Sequence, residues 1–186
     1  MNLFQRRYQE NTTLLNICKY ICDVIIVIVC AYVLVSFLCF RTTVVGSSME
    51  SQINNGDTLI INKFAYSVKN PKRFDCIAFE PDSISSSKVY VKRIIGLPGE
   101  TVQIKDGAVF INGNKLEEDI TDINILTAGV AANEIKLGED EYFCLGDNRN
   151  NSEDSRFSSI GTIKKEHIIG KAWMIISPIN HLNLIS

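Results

Sequence analysis

The run Ile21–Phe40 constrains this chain more than any other stretch, because it is almost wholly apolar. A helix crosses a bilayer with about 20 mainly apolar residues, so the run is long enough. A cleaved leader is the competing reading, but its apolar core is usually about 7–15 residues and ends at a small-x-small site. Here the run closes Val-Ser-Phe-Leu-Cys-Phe, which offers no such site. The expectation is a permanent single-pass anchor at 21–40. Arg6, Arg7 and Lys19 precede the run and only Arg41 follows closely. The positive-inside rule then puts segment 1–20 in the cytoplasm and 41–186 on the outer side of the cell membrane. Asp23 falls within about one helical turn of the inner boundary and reads as an interfacial carboxylate.

The formal net charge of −2 gives no reason to expect a nucleic-acid partner. Four of the six cysteines, Cys18, Cys22, Cys30 and Cys39, fall in or at the edge of the apolar run, where a thiol behaves as a small apolar side chain. Cys76 and Cys144 could pair in an oxidising compartment, but two cysteines carry no framework pattern. With no CxxC and no His/Cys cluster, no zinc site is expected.

Beyond the anchor, helical periodicity is scarce and short β-type runs between turn signals dominate. Thr58–Ile61, Arg73–Phe79, Val89–Ile95, Glu141–Leu145 and Lys171–Ile179 read as strands. Thr101–Lys105 and Ala108–Ile111 flank Asp106-Gly107, the sequence of a two-residue hairpin turn, and Asn112-Gly113 marks the next reversal. Pro81–Ser87 reads as a Ser-rich loop and Glu117–Glu134 as irregular. The expected fold class is mainly β: an N-terminal transmembrane helix followed by a β-rich core, with a small β extension near 101–135.

Three stretches carry candidate chemistry. In Val44-Val45-Gly46-Ser47-Ser48-Met49, a glycine two residues before a serine lets backbone N–H groups approach a substrate closely. Ser48 is a candidate nucleophile if a base can reach it; otherwise the hexapeptide is a turn leaving a membrane. In Tyr90-Val91-Lys92-Arg93-Ile94-Ile95, the strand period of two puts Tyr90, Lys92 and Ile94 on one face. A desolvated lysine on that face would be partly neutral and could act as a general base, whereas on an edge strand it would be an ordinary surface residue. The third stretch, Gly146–Arg156, is dense in polar and charged groups. A calcium loop fails on ligand order, since Arg149, Ser152 and Ser158 stand where ligands or glycine are required. The remaining readings are a solvated loop, or a wall rigidified by Asp147–Arg149 or Asp154–Arg156 pairs. His167 and His181 have no recognisable setting.

These stretches, in this order behind one anchor, resemble bacterial type I signal peptidase in its short Gram-positive form. Gly46–Met49 resembles the nucleophile motif, and Gly56-Asp57 with Asn62–Tyr66 the next conserved box. Tyr90–Glu100 matches the box of the general base, and Gly146–Arg149 with Asn151-Ser152 and Asp154–Arg156 the last box. Gly170-Lys171-Ala172 with Pro178 resembles the C-terminal end. The resemblance implies Ser48 as nucleophile, Lys92 as base, the Ser48 N–H and the Gly46 position at an oxyanion hole, and Ser152 as hydrogen-bond partner of the Lys92 amine. It implies Asp147, Asp154 and Arg156 as braces, Val44, Val45, Met49 and Tyr90 at the substrate, and no metal or other cofactor. Ser51 and Gln52 stand where the family usually has Pro and Thr, and Asn150 where it usually has Asp.

The resulting expectation is a membrane-anchored serine endopeptidase that removes signal peptides from exported preproteins. Its partners would be those signal peptides and membrane lipid, with no nucleic acid and a monomer favoured. The competing readings are a non-catalytic or specialised signal-peptidase-like protein assisting assembly of surface proteins, and a soluble Ser–Lys self-cleaving regulator.

Overall fold

A computed structural model describes residues 12–81, 88–118 and 124–185. Arg6 and Arg7, most of the expected Pro81–Ser87 loop and part of the expected irregular Glu117–Glu134 region lie outside the described residues. The chain divides into two compact units, Met1–Leu38 and Cys39–Ser186.

The first unit contains helix α1, Thr12–Leu38. Its Thr13–Val33 segment, of mean hydropathy 2.2, is long and apolar enough to cross a membrane. The helix starts earlier than the expected anchor, since Thr12–Tyr20 contains no Gly or Pro to stop it. It also ends earlier. Cys39 and Phe40, expected in the anchor, belong to a strand and pair with Asn62 and Ile61.

The second unit is built from twelve described strands: β1 Cys39–Thr43, β2 Thr58–Asn62, β3 Cys76–Phe79, β4 Tyr90–Gly96, β5 Thr101–Lys105, β6 Ala108–Ile111, β7 Asn114–Lys115, β8 Ile135–Lys136, β9 Glu141–Leu145, β10 Ile163–Lys164, β11 Ile168–Ser177 and β12 Asn183–Leu184. A one-turn helix α2, Ala65–Val68, follows β2. The larger sheet runs β1-β2-β11-β3-β4-β9-β10, with β12 beside β11, and the smaller runs β7-β6-β5-β8. The fold is mainly β, as expected. The closing strand begins at Ile168 rather than Lys171, because Ile168 and Gly170 pair with Phe79 and Ala78.

The small sheet follows from its turns. Asp106 and Gly107 both take positive φ, 50° and 75°, which joins β5 to β6 in the twist that two-residue hairpins favour. Asn112 and Gly113, at 52° and 80°, repeat the device between β6 and β7. One face of this sheet, through Val102, Ile104, Val109 and Ile111, packs with Ile95, Phe143 and Leu145 from β4 and β9. A second core gathers Met49, Ile53, Leu59, Ile61, Val91 and Ala172, and a third Ile77, Phe79, Ile94 and Cys144.

Strand β4 contributes to all three cores and lies between β3 and β9. It is therefore an interior strand, buried on both faces. Cys76 and Cys144 sit on its two flanking strands, opposite Arg93 and Ile94, and both are free thiols.

At the end of β4, a Cβ on Gly96 would lie 2.6 Å from Val102 Cγ2, 2.8 Å from Leu137 Cδ1 and 3.0 Å from Phe143 Cβ. Gly96→Ala should therefore destabilise by about 1–3 kcal/mol through overpacking. Thermal unfolding of the detergent-solubilised chain checks this, and an unchanged midpoint would refute the packing.

Candidate active site

The segment that leaves β1 is fixed through its backbone. Val44 N–H donates to the Asp57 carbonyl at 2.8 Å, and Gly56 N–H donates back to the Val44 carbonyl at 2.9 Å. Gly46, with φ of 103°, donates its N–H to Asn55 Oδ1 at 3.0 Å. Asp57 is itself buried, accepting from Asn54 N–H at 2.7 Å and meeting His181 Nδ1 at 2.9 Å. The chain then turns tightly, with Glu50 N–H bonded to the Ser47 carbonyl and Ile53 N–H to that of Met49.

This turn presents Ser48 to β4, where Lys92 Nζ lies 2.6 Å from Ser48 Oγ. Lys92 is only 3% exposed, and among the described residues it forms no ion pair. Burial pulls its pKa down to about 8, while the negative charges of Asp154 and Glu153 push it partly back up. The alternative of a surface lysine on an edge strand fails because β4 is interior. On the same face Tyr90 packs its ring 5.9 Å from the Lys92 amine.

Arg93, the next residue, is also fully buried, but with its charge matched. Its Nε and Nη2 each donate to Asp147 at 2.8 Å, and Nη1 donates to the Phe74 carbonyl at 2.7 Å. Burial opposes the charged guanidinium, yet its bonds to Asp147 hold it protonated. Asp147 thus pairs with Arg93, 54 positions away, and the alternative Asp147–Arg149 pair does not form. Arg149 instead pairs with Glu118. The Asp154–Arg156 pair does form, in two-pronged geometry with both contacts at 2.8 Å.

The loop Gly146–Arg156 also grips the serine turn. Asn148 donates its N–H to the Ser48 carbonyl at 3.1 Å and its Nδ2 to the Ser47 carbonyl at 3.1 Å, while Asn151 Nδ2 reaches Ser47 Oγ at 2.7 Å. Gly146 is required here, because a Cβ would collide with Ser152 Oγ and the Ser48 carbonyl. Ser152, expected to hydrogen-bond the Lys92 amine, does not. Its Oγ is buried over Gly146 without a hydrogen-bond partner among the described residues, and Lys92 turns to Ser48 instead.

A cleft of about 640 Å³ opens beside the pair, lined by Val44, Val45, Ser48, Tyr90, Lys92 and Glu153 among others. Val45 is 85% exposed, and neither its N–H nor its C=O is hydrogen-bonded among the described residues. Val44, by contrast, gives its N–H to the Asp57 carbonyl and its C=O already accepts from Gly56 N–H, so loop 54–57 engages both its groups. Met49, expected at the substrate, is buried in the core because the turn folds it inward.

The profile described as "Signal peptidase, peptidase S26" matches residues 17–177. The chain belongs to this family. It is 33% identical to signal peptidase I of Bacillus licheniformis over 171 residues, covering 88% of this chain and 90% of that protein. It is 35% identical over 167 residues to signal peptidase I T of Bacillus subtilis, covering 86% and 84%. A probable signal peptidase I-2 of Synechocystis is 35% identical over 147 residues, covering 76% of this chain and 64% of that protein. The chain thus spans less than two thirds of the cyanobacterial relative. A solved signal peptidase I from Enterococcus faecalis is 36% identical, covers 55% of this chain and 97% of its own, and superposes with a TM-score of 0.46.

Within this signal peptidase family, the chain's departures from the usual pattern have local partners. Asn150 Oδ1 accepts from Leu126 N–H at 2.9 Å while its Nδ2 donates to the Asn124 carbonyl at 3.0 Å. An aspartate could not make the second bond. Arg93 and Asp57 lie in motif boxes to which the sequence assigns them no role, and the sequence does not single out Asn55 and His181 as site residues. Arg93 reaches Gln52 and Asp147, and His181 reaches Asp57, through long-range contacts with no local pattern.

Asp154→Ala would strand the Arg156 charge in a site where Arg156 is 2% exposed. The expected loss is about 3–5 kcal/mol in chemical denaturation. Removal of Lys164, whose pair with Glu166 is exposed, should leave stability unchanged. Equal effects would contradict the assignment of the buried pair.

Proposed function

We propose that this signal peptidase family member is a membrane-anchored serine endopeptidase that cleaves signal peptides from exported preproteins. The observation that carries the reading is the 2.6 Å approach of a buried lysine amine to a serine hydroxyl at the edge of an open cleft. A binder that had abandoned catalysis would be under no constraint to keep an amine desolvated there.

An extended substrate segment adds alongside Val45, whose backbone groups are available for strand pairing. Neutral Lys92 accepts the Ser48 hydroxyl proton as Oγ attacks the scissile carbonyl. With a pKa of about 8, about a tenth of the lysine is neutral at pH 7, against about one part in three thousand for an ordinary lysine. The Ser48 N–H, which donates no hydrogen bond among the described residues, stabilises the oxyanion. Gly46 shapes this wall but contributes no N–H, since Asn55 already accepts it. Lysine returns the proton to the leaving amine, and water, activated by the same amine, releases the acyl group. No cofactor takes part. Helix α1 spans the membrane with residue 1 on the cytoplasmic side, which concentrates the catalytic unit where membrane-bound substrate emerges.

Ser48→Ala and Lys92→Ala should each reduce cleavage of a presecretory substrate by at least about a thousandfold, since nucleophile and base act as one unit. Full activity in either variant removes that residue from the mechanism.

The rate in the wild type should rise with pH through about 8, because only the deprotonated amine is a base. A profile of kcat/KM flat from pH 6 to 9 would contradict a lysine base.

A further inference from the structure

Beyond the apolar packing of Met49 and Ile53 with Val91, two side-chain hydrogen bonds join the serine turn to β4. The first is the Ser48–Lys92 contact. The second lies one residue along the strand: Arg93 Nη2 donates to Gln52 Oε1 at 3.1 Å. Ser48 and Gln52 share one turn, and Lys92 and Arg93 are neighbours on one strand. The two contacts therefore close a ring through the backbone of each element.

The two contacts differ in what the reaction does to them. Acylation of Ser48 turns the hydroxyl into an ester oxygen, which no longer donates to the amine and accepts from it only weakly, so the first contact is weakened. The second is remote from the reacting atoms and persists through the cycle. Arg93 is rigid enough to serve as its anchor, because Asp147 holds Nε and Nη2 and the Phe74 carbonyl holds Nη1. Ser51 adds a long contact, its Oγ 3.5 Å from Asp147 Oδ2. Proline, the usual residue at position 51, would offer Asp147 no donor, and threonine at 52 would be shorter by two atoms than the glutamine that meets Arg93 here.

Resting on the Ser48–Lys92 reading, we propose that Gln52 is a positioning residue: its amide oxygen, held by Arg93, keeps the serine turn docked on the strand that carries Lys92. The amine then stays aimed at the acylated serine while its own contact is weakened. Misplacement of reacting groups by about 1 Å can cost as much as a hundredfold in rate, so a single lost clamp has a measurable effect.

Two substitutions of similar length separate the roles. Gln52→Met removes the acceptor, and Gln52→Glu keeps it. With the detergent-solubilised full chain and a presecretory substrate, Gln52→Met should lower kcat about tenfold with KM within about twofold, and Gln52→Glu should recover most of the loss. Hydrogen exchange of the Val44–Ile53 segment should quicken in Gln52→Met and return towards the wild-type rate in Gln52→Glu. Wild-type kinetics and exchange in Gln52→Met overturn the proposal. So does an equal loss in both variants, which would make the acceptor irrelevant. If the wild type itself does not cleave, the peptidase reading fails instead, and exchange alone then decides whether the clamp exists.

Discussion

Adjacent cations, Lys92 and Arg93, are buried on the interior strand β4, and only the arginine has a carboxylate of its own. Removing a charge from water costs several kcal/mol unless a partner repays it. Arg93 keeps its proton because Asp147 meets it with two parallel hydrogen bonds. Lys92, with an equally dry setting and a serine as its contact, lowers its pKa instead. The side chains suit these tasks: a guanidinium is a planar fork that stays charged, whereas an ammonium sheds its proton readily when buried. One strand thus supplies a fixed anchor and a titratable amine in consecutive positions.

The surrounding architecture serves that contrast. Strands β3 and β9 cover β4 on both sides, and the hairpin sheet closes a core over its far end. The loop Gly146–Arg156 contributes the Arg93 counter-ion and three hydrogen bonds to the serine turn. That loop is rigid in turn because Asp154 and Arg156 pair inside it, while Arg149 and Asn150 reach the segment between β7 and β8. A half-satisfied polar network in so dry a place would be worse than an apolar one. Ser152 Oγ is the exception among the described buried side-chain atoms, and it lies over Gly146 beside the serine turn.

Local chemistry was readable in the sequence and long-range pairing was not. Asp106-Gly107 and Asn112-Gly113 announced their turns because positive φ is demanded at those positions and few residues supply it. Val89–Ile95 announced a strand by alternation. The same alternation could not say that both faces were covered, which decides whether Lys92 is dry. The partner of Asp147 cannot be read among the nearby arginines, because register, rather than spacing, brings Arg93 to it. Met49 and Val44 read as substrate contacts from their places beside Ser48. The turn directs Met49 into the core, whereas Val44 lines the cleft and gives its backbone N–H and C=O to loop 54–57. The helix bounds shifted for a similar reason: apolar content cannot distinguish the last helical residue from Cys39 and Phe40, whose conformation is set by strand pairing with β2.

The most direct test is titration of the Lys92 side chain itself, by following its Cε and Nζ resonances in the solubilised full chain with selective lysine labelling. The Lys92→Arg variant assigns the signal. The expected midpoint is about 8. A midpoint near 10.5, the ordinary value of a solvated lysine, would contradict the claim that burial delivers a neutral amine to Ser48.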